Sequence, residues 1–197
     1  MTEAVDKKLF LELTGTARQD VEQPPICTYD SVSQCYRVLA WGGEYQVYPE
    51  KMSIEMSAGN DAQHDYFYVF LVNFLLSKKS AAPKGEWISV KDLVGGVTFF
   101  RGPHEIPAHL ISEKYENDLL SLQQRCEKLG GKKLTMADCS YEFNVVGSVN
   151  IALLYWQGDE DFPPEAKILL DGSVAEALKL DVVYALLCDA CVRIAGD

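Results

Sequence analysis

Three consecutive carboxylates, Asp159-Glu160-Asp161, stand where an apolar run ending at Trp156 meets Pro163-Pro164. Adjacent like charges cost free energy unless they are solvated, accept hydrogen bonds from backbone N–H groups or share a cation. Carboxylate oxygens in such a turn suit a hard divalent metal, with Asp159 and Asp161 as the candidate ligands. The spacing lacks the alternating Asp-x-Asp-x-Asp-Gly order and the distal glutamate of a calcium loop. The competing reading is a solvated turn whose acids cap nearby backbone amides.

A second group of candidates lies in Arg101-Gly102-Pro103-His104, a turn that follows an apolar stretch. Loop side chains positioned by rigid elements are common binding groups. Arg101 and His104, with Asp159 and Glu160, form the candidate ligand-binding set if the two turns share a hollow. Taken alone, His104 reads as an ordinary turn residue before it reads as a ligand or proton shuttle. His104 and His109 are five positions apart and lack the HExxH arrangement that puts two nitrogens and a base on one helix face. Cys188-Asp189-Ala190-Cys191 has the CxxC form. It sits late in an apolar helix, with neither the exposed helix start that lowers a thiol pKa nor the second ligand pair that zinc needs, so packing is its reading. GxSxG, GxGxxG and P-loop patterns are missing, which weighs against an enzyme.

The elements that must position these residues follow from periodicity. A first helix is expected over residues 3 to 14, ended by Gly15, and a hairpin over 34 to 41 and 44 to 48 around Gly42-Gly43, with 52 to 56 as a third strand. Residues 61 to 77 carry Phe67, Phe70, Leu71, Phe74 and Leu75 at helical spacing. Asn60 or Asp61 can cap that helix, and Lys78-Lys79 complement its dipole. Trp87 to Val90 and Val97 to Phe100 read as extended. A long helix is expected from Ile111 to Leu129, capped by Gly130-Gly131. Cys139 to Val145, Val149 to Trp156 and residues 166 to 170 read as strands, the second nearly all apolar and so central. A capping box at Ser173 starts a short helix, and a final helix spans Asp181 to Ile194. Strands and helices come in blocks, so the expected class is α+β: one domain over 1-197, with a mostly antiparallel sheet packed against several helices. Residues 1-22 would be a peripheral helix and linker, and 30-195 the core.

Composition narrows the partners. With 18 basic against 29 acidic residues the net charge is -11, which disfavours a nucleic-acid backbone or an anionic membrane surface. Apolar runs fall short of the roughly 20 residues that span a bilayer. The six cysteines, with no signal-peptide pattern at the start, read as reduced thiols in a cytoplasmic chain.

Trp156-x-Gly158-Asp159-Glu160-Asp161-Phe162-Pro163, followed by Asp171, resembles the W-x-G-D-E-E-F-P signature and later aspartate of the family DUF3786. Gly85-Glu86-Trp87-Ile88, Gly95-Gly96, Gly102-Pro103-His104, Gly130-Gly131 and Asp138 fall in that family's order, and the resemblance covers about residues 30 to 195. Asp161 departs from the usual glutamate. The resemblance implies a soluble protein of the kind found mostly in anaerobic bacteria and archaea. Some members add an iron-sulfur domain like that of corrinoid proteins, which implies a link to corrinoid, tetrapyrrole or one-carbon metabolism. The expectation is a non-catalytic accessory protein holding a small-molecule ligand, with a tetrapyrrole or corrinoid as the implied cofactor class. The alternatives are a metal-dependent enzyme using the acidic turn and a domain that binds a protein partner.

Overall fold

Alternating inward side chains build one antiparallel sheet. In the computed structural model, which describes residues 5–58, 65–77 and 82–196, its strands in chain order are β1 (Cys27–Asp30), β2 (Cys35–Ala40), β3 (Gly43–Tyr48), β4 (Ser53–Ala58), β5 (Trp87–Ile88), β6 (Lys132–Lys133), β7 (Cys139–Val146), β8 (Val149–Trp156) and β9 (Glu165–Asp171). The spatial order is β4-β3-β2-β7-β8-β9-β5, with β1 beside β2 and β6 beside β7. The helices are α1 (Lys7–Gly15), α2 (Arg18–Val21), α3 (Tyr66–Leu76), α4 (Gly96–Phe99), α5 (His109–Tyr115), α6 (Leu119–Lys128), α7 (Val174–Ala177) and α8 (Leu180–Ala195). The fold class is α+β.

One face of the sheet carries the core. Ile151, Leu153 and Tyr155 of β8, Tyr141 and Phe143 of β7 and Ile168 and Leu170 of β9 point the same way and are buried. Helices α3, α5, α6 and α8 cover that face. Phe67 of α3 packs on Tyr45, Tyr155 Oη donates to Glu116 O at the end of α5, and Tyr141 Oη donates to Glu127 of α6. Helix α8 is apolar on nearly every side and is buried accordingly, with Arg193 and Asp189 paired inside it at 2.7 Å. Burial alone would pull the Arg193 guanidinium down, but Asp189 and Tyr45 hold it above its ordinary value.

Local chemistry sets most boundaries. Strand β8 lies between β7 and β9, the interior place in the sheet that its nearly all-apolar run predicts. Gly130 takes φ +76, and the N–H groups of Gly130 and Gly131 donate to Glu127 O and Cys126 O, closing α6 in a Schellman motif. The aromatic stripe of α3 is buried as its spacing predicts. The expected caps Asn60 or Asp61 and the lysines Lys78-Lys79 lie outside the described residues.

Four expectations are corrected. The hairpin turn falls on Trp41-Gly42, both at positive φ, rather than on Gly42-Gly43, because Trp41 N donates to Val145 O and ties the end of β2 to β7. The long helix from Ile111 breaks into α5 and α6: Glu116 takes φ +45, and Asp118 starts a new helix by accepting from Ser121 N at 3.0 Å. Residues 97 to 99 are helical, not extended, since Gly95 at φ +79 turns the chain into α4. Ser173 forms no capping box; its N–H and hydroxyl are spent on Asp171 Oδ1, at 2.9 and 2.5 Å.

Candidate functional site

Register explains an opening at the edge of the sheet. Strand β5 pairs with β9 only at Trp87↔Asp171 and Ile88↔Leu170. Continuing that ladder would set Val90 opposite Ile168. Instead Ser89 and Asp92 form a reciprocal capping box: Ser89 Oγ accepts from Lys91 N at 3.3 Å and Asp92 Oδ2 accepts from Ser89 N at 2.8 Å. The resulting 3-10 turn, Val90–Asp92, carries the chain away from β9. Gly96 fixes how closely the next turn approaches, because a Cβ there would lie 2.0 Å from Val90 O.

Between the departing segment and β9 lies an open groove of about 730 Å³. Its strand wall is Ala166 to Leu169, four consecutive residues, so the wall is the edge of β9 rather than a face. Val90, Phe100 and Ile106 supply apolar surface on the opposite side. Among the described residues, three cations, Lys91, Arg101 and Lys167, line the groove against one carboxylate, Glu105. Among the described residues, only Lys167 of the three cations is in an ion pair, with Glu165 at 3.0 Å. Lys167 Nζ also lies 5.3 Å from the Trp156 ring.

Of the residues singled out from sequence, Arg101 lines this groove and His104 does not. His104 follows Arg101 in a 3-10 turn, Gly102–His104, where its ring stacks on Phe99 at 4.6 Å and meets the edge of Tyr184 at 5.3 Å. Tyr184 Oη donates to Pro103 O at 3.0 Å, which pins the turn to α8.

Asp159, Glu160 and Asp161 are exposed in the connection from β8 to β9. Asp159 Oδ1 accepts from Asp161 N and Phe162 N, both at 2.8 Å, and these two donors hold its carboxyl below the usual range. Gly158 admits no side chain, since a Cβ would sit 2.8 Å from Pro164 N. Asn117 clamps the turn from the α5–α6 break: its Oδ1 accepts from Gly158 N at 2.8 Å and its Nδ2 donates to Gly158 O at 3.2 Å. Asp138 accepts from Gln157 N at 2.9 Å. Among the described residues, no hydrogen bond, ion pair or ring contact links His104 to the acidic turn, and no three His, Cys, Asp or Glu side chains are grouped to hold a metal.

Asp171, one strand end away, is a buried hub. It accepts from Lys84 N, Gly85 N, Ser173 N and the Ser173 hydroxyl. Burial would raise its pKa, yet these donors together hold it below the carboxylate norm. Its role is to lock the 84–86 segment, and so the start of β5, onto the end of β9. All six cysteines are free and buried, and burial pushes Cys27 up to about 12, Cys139 to about 11 and Cys188 and Cys191 upward. Thiols so desolvated are packing groups.

Sequence reasoning missed Lys91, Lys167 and the strand edge. Two signals bear on them: a lysine within an otherwise apolar strand is a mark of an edge, and Ser89-x-x-Asp92 directly after Trp87-Ile88 is a strand stop. A search of curated proteins and one of solved structures find no match. A family model does match, over residues 19–193, and the chain belongs to that family, described as Domain of unknown function (DUF3786).

Proposed function

We propose that this chain is a non-catalytic binding or accessory protein of the cytoplasm that holds an anionic ligand in the groove beside β9. The observation that carries the reading is that Lys91 and Arg101, neither in an ion pair among the described residues, line one concavity beside the paired Lys167 and a single carboxylate, Glu105, in a chain of net charge -11. A cluster of cations against the overall sign focuses an attractive field on an anion. The volume falls within the usual span of small-molecule sites, roughly 300–1,000 Å³, and the wall offers apolar as well as charged contact. Among the described residues the one hydroxyl of the lining, Ser89, accepts from Lys91 N in the capping box, and the remaining ionisable groups are Lys91, Arg101, Lys167 and Glu105.

A tetrapyrrole or corrinoid is the ligand class that the family resemblance implies. The lining fits the peripheral carboxylates of a tetrapyrrole, for which Arg101 and Lys91 are the partners, and its apolar surface. Among the described residues the lining holds no His, Cys or Met, the usual axial ligands to a central metal. A metal-dependent reaction at Asp159, Glu160 and Asp161 lacks comparable support, because Asp159 already spends Oδ1 on two backbone donors.

Tryptophan-emission quenching and visible difference spectra on titration with haem, and separately with cobalamin, test the proposal. Saturable binding at tens of micromolar or tighter, weakened about tenfold or more by Arg101→Ala, is expected. Flat titrations with both ligands, or binding indifferent to Arg101→Ala, contradict the tetrapyrrole as the ligand.

A further inference from the structure

The backbone of the groove wall carries information that its side chains do not. Gly172 N donates to Glu86 O at 2.8 Å, which continues the β5–β9 register by one rung and shows which way Gly172 faces. Along a strand, N–H and C=O groups alternate between the two neighbours. Leu170, Ile168 and Ala166 therefore face the same edge as Gly172, while Lys167 and Leu169 face β8. Strand β5 takes Leu170 and ends. Ala166 and Ile168 are left with their N–H and C=O groups directed into the groove, with no backbone partner there among the described residues.

We infer that the partner of this groove is an extended, acidic peptide segment that adds to the sheet as a strand, pairing with Ala166 and Ile168 in the line that β5 vacates at Val90. The inference rests on reading the groove as the binding surface and names the partner that surface takes. An unpaired edge is a template for another strand, and main-chain pairing supplies affinity while flanking pockets supply selectivity. The free stretch, Glu165 to Leu169, is about 17 Å long at 3.4 Å per residue, enough for a segment of about five residues. Charge selects its chemistry. Lys91 and Arg101 rise on the wall facing β9, so acidic side chains on the added strand would meet them, whereas a basic strand would be repelled. The same charges argue against a second copy of this chain: edge-to-edge pairing of two β9 strands would bring Lys167, Lys91 and Arg101 against their own equivalents. A lysine on an edge strand is a device that blocks such self-pairing.

The experiment is fluorescence anisotropy with a fluorescein-labelled hexapeptide of alternating valine and glutamate. Three comparisons accompany it: the valine–lysine counterpart, the glutamate peptide N-methylated at every second residue in both registers, and the Arg101→Glu protein, whose thermal midpoint verifies folding. The acidic peptide should saturate at micromolar to sub-millimolar concentration. The lysine counterpart, the N-methylated peptides and Arg101→Glu should each bind about tenfold more weakly or worse. N-methylation removes donors from the probe and leaves the protein untouched, so its result does not depend on a variant folding. Equal affinity for acidic and basic peptides, or for N-methylated and unmodified ones, overturns the inference. No saturation by the acidic peptide while haem or cobalamin still binds in an Arg101-dependent way overturns the peptide alone. Loss of both overturns the groove reading as well.

Discussion

Val90 occupies the register position opposite Ile168, yet the two residues are held apart by the capping box between Ser89 and Asp92. A local hydrogen-bond pair thus sets a long-range feature, the open edge of β9. The positions that keep the edge open are small or capping residues whose value lies in backbone geometry rather than in chemistry.

Gly96→Ala tests that geometry. Its Cβ would stand 2.0 Å from Val90 O, a backbone atom that moves only with the whole turn. Overpacking of this kind costs about 1–3 kcal/mol, and the displaced turn should also weaken ligand binding in the groove. Chemical denaturation of the variant beside wild type, with the haem titration repeated, reads both effects.

Acid stability should depend on Asp171. Its folded pKa lies below the unfolded value of about 3.9. The stabilisation is therefore full above about pH 4 and fades as pH falls from there through the folded pKa. Asp171→Ala leaves three N–H donors and the Ser173 hydroxyl without their acceptor, and should cost about 1–3 kcal/mol at neutral pH. Its stability profile below pH 4 should be flatter than that of wild type. Urea midpoints measured from pH 2.5 to 7 check both statements.

Asp189 and Arg193 should show strong coupling. Removing one partner leaves a charge inside α8, where both side chains are sealed from water, and Asp189→Ala should cost about 3–5 kcal/mol. Replacing both, as Asp189→Leu with Arg193→Met, should recover most of that loss. A double-mutant cycle by denaturation measures the coupling.

Much of the scaffold was legible in the sequence because its signals are local and periodic. The stripe from Phe67 to Leu75, the apolar run of β8 and the Gly130-Gly131 cap each depend on neighbours within a few residues. What failed depended on contacts distant in sequence. Asn117 is drawn to Gly158, which breaks the expected long helix, and Trp41 is drawn to Val145, which shifts the hairpin turn. The candidate site was legible in part for the same reason. Arg101 stood out by type and loop position, whereas Lys91 and Lys167 become partners only when β5 and β9 are set side by side. The acidic turn attracted notice by charge, and its charge is explained locally by the donors that Asp159 caps.

Amide hydrogen exchange resolved residue by residue along β9 tests the central claim most directly. In the free protein the amides of Ala166 and Ile168 should exchange fast while those of Lys167 and Leu169, paired to β8, stay protected; loading the groove with the acidic peptide should slow Ala166 and Ile168 selectively. Protection of Ala166 and Ile168 in the free protein equal to that of their neighbours, or exchange there that no ligand alters, would contradict an open strand edge serving as the binding surface.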